Sequence, residues 1–109
     1  FNDTRDPSLN TAWVDAAARM HANGFPLDDP GISPIHGDMT GLPPIITTTG
    51  SCELLLSDSL RLAQKLREAG VICDLRVWEG MWHVFEYYPI HEAEASLKEV
   101  AEFVQMHCR

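Results

Sequence analysis

The sequence lacks the features that mark a membrane-spanning or nucleic-acid-binding chain. No apolar run approaches the roughly 18 residues that a membrane helix needs, and the first residues do not form a signal peptide. Basic residues are few: 8 Lys and Arg stand against 16 Asp and Glu, which gives a formal net charge of −8. Because the phosphates of nucleic acid attract Lys and Arg, we expect no nucleic-acid partner.

Cysteine is also scarce. Cys52, Cys73 and Cys108 are odd in number and widely spaced, with neither a C-x-x-C pair nor a zinc-type grouping with histidine. This usage predicts reduced thiols in a cytoplasmic protein. We separately expect no cofactor and no metal site. Cys52 lies beside a candidate acidic turn, and a thiolate there would in principle be a nucleophile, but no neighbouring motif supports that role.

The apolar pattern predicts an α/β chain built around one strand–helix–strand unit. In order, we expect a helix at residues 8–23, a Pro- and Gly-rich loop to residue 44, a strand at 44–49, a helix at 54–69, a strand at 71–78, a loop of large side chains at 79–89 and a final helix. The first helix should be capped by Asp6 or Ser8 and should pack through Trp13 and Met20. Since the chain starts at Phe1 rather than Met, we expect a piece of a longer protein.

The two predicted strands should place a carboxylate and an imidazole at one edge of the sheet. A crossover through a helix makes such strands parallel, so their carboxyl ends lie side by side. Glu53 follows the first strand, and His83 follows the second strand 30 residues later. Ligands and catalytic groups in parallel sheets gather at this edge, so the pair is a candidate for acid–base chemistry.

His83 has the surroundings that suit a general base. Gly80 lets the loop turn sharply, and the aromatic side chains near the histidine lower the local dielectric constant. A histidine that titrates near neutral pH can take a proton from a hydroxyl and return it to a leaving group. A carboxylate is the group best suited to fix the tautomer of such a base, and Glu53 has that placement. By themselves, a lone His and a lone Glu on loops also fit ordinary surface residues.

A run of motifs in order carries a family resemblance. Residues 28–34, 41–44, 50–59, 67–71 and 77–85 read DDPGISP, GLPP, GSCELLLSDS, REAGV and VWEGMWHVF. Together they resemble the C-terminal part of hormone-sensitive-lipase-like bacterial esterases, and the similarity covers residues 6–109. The resemblance implies an α/β-hydrolase fold and hydrolysis of carboxylic esters through an acyl-serine intermediate. It places the family's catalytic histidine on His83 and the family's acid on Glu53.

The sequence departs from the family pattern in two ways. The family acid is often Asp in an Asp-Pro-Leu turn, whereas this turn reads Glu53-Leu54-Leu55; Asp58 is the fallback acid. No Gly-x-Ser-x-Gly elbow and no His-Gly-Gly-Gly segment occurs, so we expect the nucleophile and the oxyanion donors upstream of Phe1. Residues 1–109 are then the C-terminal portion of a single hydrolase domain, and the chain by itself is expected to be inactive.

A non-catalytic α/β module, either a pseudo-enzyme or a binding module, is the alternative interpretation. The residue at the upstream elbow discriminates between the two, because the esterase needs serine there. A free-standing βαβ signalling domain is a weaker third idea, which the long Pro- and Gly-rich loop disfavours. The esterase interpretation predicts a small acyl ester as substrate, the rest of the hydrolase domain as partner, and allows a homo-oligomer.

Overall fold

The computed structural model describes residues 5–108, which form an α/β arrangement as predicted. Its elements are α1 (Thr11–Ala22), a single 3-10 turn (Pro34–His36), β1 (Ile45–Gly50), α2 (Leu56–Glu68), β2 (Cys73–Trp78), a second 3-10 turn (Phe85–Tyr87) and α3 (His91–His107). The order of helices, strands and long loop is the predicted order. No helix among these residues is long and apolar enough to cross a membrane.

The two strands pair in parallel, and α2 forms the crossover between them. Pairing runs in step from Ile45 opposite Cys73 to Gly50 opposite Trp78, so both strands end at the same level. Consequently the residues that follow Gly50 and the residues that follow Trp78 leave the sheet side by side. This register is what places the acidic turn next to the histidine loop.

The core lies at the opposite end of the strands, beneath α2. Met39, Leu66 and Val71 are buried together there, and partly buried apolar side chains surround them. Met39 comes from the Pro- and Gly-rich loop, which confirms that this loop is packed rather than a free linker. α2 ends as predicted at the Ala69–Gly70 step, where Gly70 takes a φ of +76° and Val71 N–H donates to the Leu66 carbonyl.

The first helix differs from its prediction in its cap and in its buried face. Asn10 is the N-cap, and its side chain accepts from the N–H of Trp13, so α1 begins at Thr11 rather than near Ser8. The expected packing stripe is wrong: Trp13 is 62% exposed and Met20 is 81% exposed. Instead, the Val14 side of α1 lines a cleft shared with the residues at the start of α2. The apolar residues of α1 are mostly small alanines, so their pattern did not predict which side of α1 faces α2.

The element boundaries near the site also shift slightly. β1 extends through Gly50, which was expected to break it, because the glycine still pairs with Trp78. α2 begins at Leu56 rather than at residue 54, since residues 51–55 form the turn that carries the acid. β2 begins at Cys73 rather than at residue 71. Helix and strand ends of this kind depend on long-range pairing, which a local pattern does not record.

Candidate active site

The backbone beyond the strand ends is held by hydrogen bonds between the two loops. Ser51 N–H donates to the Trp78 carbonyl at 2.9 Å, and Cys52 N–H donates to the Met81 carbonyl at 2.9 Å. The Ser51 hydroxyl oxygen in turn accepts from the N–H of Gly80 at 2.8 Å. The pairing of the sheet therefore continues into the acidic turn and the histidine loop, which fixes one against the other.

Gly50 permits the closest backbone approach at the site. A Cβ atom on Gly50 would lie 2.0 Å from the Met81 carbonyl oxygen and 2.9 Å from the Trp82 nitrogen. No side chain fits at such a distance, so only glycine lets the histidine loop cross the end of β1. The residue that was expected to interrupt the strand is instead what allows the loop to close over it.

Glu53 and His83 meet across this junction. Nδ1 of His83 lies 2.6 Å from Oε1 of Glu53, a short distance typical of a hydrogen bond that involves a charged group. The Glu53 side chain is only 9% exposed, whereas the His83 side chain is 29% exposed. The imidazole therefore rests on a buried carboxylate and keeps a side accessible from outside.

The second oxygen of Glu53 is held by β1. The Thr49 hydroxyl donates to Oε2 at 2.7 Å, and the Gly50 N–H donates to the same atom at 3.1 Å. Because Oε2 accepts from the Thr49 hydroxyl and the Gly50 backbone while Oε1 contacts His83, the carboxylate is held in the orientation that faces the imidazole. Thr49 is itself 2% exposed, so this support is part of the buried interior.

The fallback acid does not reach the histidine. Asp58 lies in the first turn of α2 and pairs with Arg61 one turn further along the same helix. Cys52 contributes its backbone N–H to the loop junction, and its half-buried thiol is a free cysteine. Of the candidate residues, the structure brings together Glu53 and His83 and leaves Asp58 on the helix surface.

The histidine loop is shaped by two left-handed residues. Gly80 takes a φ of +75° before the histidine, and Val84 takes a φ of +51° directly after it. A β-branched residue rarely adopts this conformation, so Val84 is locally strained. Phe85 follows and is buried, with its ring centroid 5.9 Å from that of Trp78. The buried ring anchors the chain on the far side of the strained residue.

Asp6 ties the segment before α1 to the acidic turn. Its Oδ2 accepts from the N–H of Leu54, the residue after Glu53, at 2.9 Å, while Oδ1 accepts from Ser8 and Leu9. Burial alone would raise the pKa of Asp6, but these hydrogen bonds outweigh burial and hold the pKa below its ordinary value of 3.8. The sequence pattern suggested Asp6 only as a helix cap and did not predict this hydrogen bond across 48 residues.

A further carboxylate, Glu86, was also missed. Its Oε1 accepts from the Thr48 hydroxyl at 2.7 Å and from the Ser96 hydroxyl at 3.1 Å.

Within residues 5–108 no three His, Cys, Asp or Glu side chains are grouped as a metal ion would require. The titratable groups that meet at the described site are the His83 imidazole and the Glu53 carboxylate.

The family follows from comparison with known proteins. A family profile described as alpha/beta hydrolase fold matches residues 2–87, which include both strands, Glu53 and His83. The chain belongs to the α/β-hydrolase fold family. The predicted fold class is thereby confirmed, and the strand–helix–strand unit is a part of the hydrolase sheet.

Curated relatives of this α/β-hydrolase chain are esterases. An esterase of Acinetobacter venetianus is 33% identical over an alignment of 106 residues, and the match covers 94% of this chain and 35% of the relative. An acetyl-hydrolase of Streptomyces hygroscopicus is 37% identical over 77% of this chain and 28% of its own length. The chain thus spans about a third of the length of these relatives.

Solved structures agree with the predicted resemblance to hormone-sensitive-lipase-like esterases. A hormone-sensitive lipase from a metagenome library superposes with a TM-score of 0.93 at 32% identity, covering 97% of this chain and 37% of that chain. An esterase from the bacterial hormone-sensitive lipase family superposes with a TM-score of 0.94 at 33% identity, covering 97% and 36%. The resemblance inferred from the motifs is confirmed.

Proposed function

We propose that this α/β-hydrolase chain supplies the acid and the base of a serine triad that hydrolyses carboxylic esters. The contact between Glu53 Oε1 and His83 Nδ1 at 2.6 Å carries the proposal. A buried carboxylate in contact with a partly exposed imidazole at the carboxyl edge of parallel strands is the arrangement that such a triad needs. Membership of an esterase-containing family supports the same function.

In this proposal His83 acts as general base and then as general acid. An ionised carboxylate only accepts hydrogen bonds, so contact with Glu53 places the ring proton on Nδ1 and leaves the lone pair on Nε2. Nε2 then removes the proton from an attacking serine hydroxyl while that oxygen bonds to the ester carbonyl carbon. The imidazolium next gives this proton to the leaving alcohol oxygen, which releases the alcohol and leaves an acyl-serine.

Glu53 stabilises the imidazolium and keeps its orientation. The charge that forms on His83 during the reaction lies against the carboxylate, whose second oxygen is fixed by Thr49 and Gly50. In the second half of the reaction His83 removes a proton from water, which attacks the acyl carbon and frees the carboxylic acid product. His83 returns the proton to the serine oxygen, so the cycle closes without any cofactor.

The nucleophile and the oxyanion donors belong to the part of the hydrolase that this sequence does not contain, which makes the chain inactive alone. We propose small acyl esters as the substrate class; relatives carry the names esterase, acetyl-hydrolase and carboxylesterase/phospholipase. A cytoplasmic location is proposed from the three free cysteines.

A chimera tests the proposal. This chain replaces the matched 35% of the Acinetobacter venetianus esterase, and hydrolysis of p-nitrophenyl acetate, butyrate and octanoate is measured. We expect His83→Ala and Glu53→Gln each to lower kcat by about 10²- to 10⁴-fold, because both remove general-base catalysis. Asp58→Asn and His91→Ala, which change an exposed pair and an exposed histidine, should keep the parent rate.

Two outcomes contradict the proposal. Full activity after His83→Ala shows that another group is the base. A chimera that folds, as judged by circular dichroism and cooperative unfolding, but hydrolyses no ester favours the non-catalytic module. The residue at the elbow of the natural full-length protein gives an independent check, because any residue other than serine rules out the acyl-serine route.

A further inference from the structure

Glu86 joins the histidine loop to two other elements of the fold. It lies three residues after His83, in the Phe85–Tyr87 turn, and its Oε1 accepts from Thr48 on β1 at 2.7 Å and from Ser96 on α3 at 3.1 Å. We propose that Glu86 is a positioning residue, which sets the place of the His83 imidazole by fixing the chain that follows it. This inference rests on the proposed role of His83 as general base.

Neighbouring threonines of β1 hold the two halves of the site. Successive side chains of a strand point to opposite faces, so Thr48 and Thr49 serve different partners. Thr49 donates to the carboxylate of Glu53, and Thr48 donates to the carboxylate of Glu86. β1 therefore holds both the acid and the turn that follows the histidine. Because both hydrogen bonds come from this one strand, β1 fixes the distance between Glu53 and His83.

The loop needs this support because it contains a strained residue. Val84 lies between His83 and the turn with a φ of +51°, a conformation that persists only where the surrounding structure enforces it. On the far side, buried Phe85 and the hydrogen-bonded Glu86 supply that enforcement. If the Glu86 contacts are lost, rotation at Val84 towards an ordinary φ would carry the imidazole away from Glu53.

The α3 contact joins Glu86, which is itself partly buried, to a side chain of the interior. Ser96 is 0% exposed, and a buried hydroxyl is costly unless it is hydrogen-bonded. The Ser96 hydroxyl donates to Glu86 Oε1, the same atom that accepts from Thr48. Both donors are neutral hydroxyls, so an acceptor oxygen rather than a negative charge is what the position requires. Glu86 does not act as the triad acid, because Nδ1 of His83 is taken by Glu53.

The requirement for an acceptor gives a sharp test in the esterase chimera. Glu86→Gln keeps Oε1, and Glu86→Ala removes it; Glu79→Ala is the matched control, since Glu79 is an exposed carboxylate four residues before His83. We expect Glu86→Ala to lower kcat about tenfold or more with KM within about twofold, as loss of two hydrogen bonds from a positioning element predicts. Glu86→Gln and Glu79→Ala should stay within about threefold of the parent kcat.

A second measurement uses the folded chimera without any ester. In chimera labelled with ¹⁵N-histidine, the His83 ring resonances are identified by their absence in His83→Ala. Glu86→Ala and Thr48→Val should shift or broaden these resonances, while Glu79→Ala should leave them in place. A structural role that does not reach the imidazole lowers the unfolding midpoint but does not move the His83 signals.

The outcomes separate the positioning role from the proposed function. Unchanged kcat and unchanged His83 resonances in Glu86→Ala overturn the positioning role, as does a Glu86→Gln variant as impaired as Glu86→Ala. If His83→Ala leaves the chimera fully active, the proposed function fails, and the ring resonances still decide whether Glu86 positions His83.

Discussion

The hydroxyl of Thr49 donates to Oε2 of Glu53 at 2.7 Å, on the oxygen that does not face His83. We therefore expect Thr49→Val to let the carboxylate rotate and to lower kcat of the chimera about tenfold, since a hydrogen bond to a charged group contributes roughly 1.5 kcal/mol. Thr49→Ser keeps the hydroxyl and should recover most of the rate. Steady-state kinetics with p-nitrophenyl butyrate measures both; equal loss in the two variants contradicts a role for the hydroxyl.

Gly50 should tolerate no side chain, for reasons of space. In Gly50→Ala the new Cβ would meet the Met81 carbonyl oxygen at 2.0 Å, so the histidine loop must shift. We expect a loss of about 1–3 kcal/mol in the free energy of unfolding, together with a strong loss of esterase activity.

Gly41→Ala is the matched control for this substitution. Gly41 has a φ of +78° and open space around the Cβ position, so only backbone strain of about 1 kcal/mol is added. Urea unfolding and kcat are measured for both variants. A Gly41→Ala variant that loses activity as Gly50→Ala does would contradict the steric explanation.

Val84→Gly should separate stability from activity. Glycine relieves the left-handed strain of about 1–2 kcal/mol but adds freedom to the unfolded chain, so the free energy of unfolding should change by less than about 1 kcal/mol. The looser loop should nevertheless lower kcat. Val100→Gly, in the interior of α3, supplies the comparison, because it removes a side chain from a regular helix and should only destabilise. A large drop in the free energy of unfolding of Val84→Gly would contradict the idea that the left-handed conformation strains Val84.

Asp6 should make the fold sensitive to acid. Its pKa in the folded state lies below the ordinary value of 3.8, so its charged form stabilises the fold above about pH 3.8, and this contribution is lost as pH falls through the lowered pKa. Asp6→Asn should cost about 1–3 kcal/mol at pH 7, because one of the backbone donors loses its acceptor. The difference from the parent should shrink at pH 3.

Asp38→Asn is the control that distinguishes the long-range hydrogen bond between Asp6 and Leu54 from the hydrogen bonds of a local turn. The pKa of Asp38 is also lowered, by hydrogen bonds from the side chain and backbone of nearby Thr40, but Asp38 is exposed and these partners lie only two residues away. Urea unfolding of both variants at pH 7 and pH 3 is the measurement. If Asp38→Asn lowers the free energy of unfolding as much as Asp6→Asn does, the contact between Asp6 and Leu54 adds no more stability than a local turn.

The sequence was sufficient for features that local chemistry determines. Alternating and helical apolar patterns located the strand–helix–strand unit, and Gly70 marked the end of α2. A crossover helix requires parallel strands, so the meeting of Glu53 and His83 followed from order alone. The preference for Glu53 over Asp58 also agrees with the geometry, although its catalytic role stays a prediction.

The missed features depend on contacts between distant segments. Thr48 reaches Glu86 across 38 residues, and Leu54 reaches Asp6 across 48, without any periodic signal that joins them. Threonine in a strand is expected for its shape alone, so neither β1 hydroxyl stood out. Trp13 was misassigned because its helical spacing from Met20 fits one apolar face, whereas Val14 is the side chain that lines the cleft beside α2.

The hydrogen bonds that carry the sheet beyond its strand ends have a consequence for how the protein opens. Ser51, Cys52 and Gly80 link the two loops to each other as the strands themselves are linked. Their amide protons should therefore exchange with solvent as slowly as those of β1 and β2, in one cooperative unit, unlike those of ordinary surface loops. When the esterase chimera is warmed, the acid and the base should separate only when the sheet melts, so that loss of esterase activity and unfolding share one midpoint.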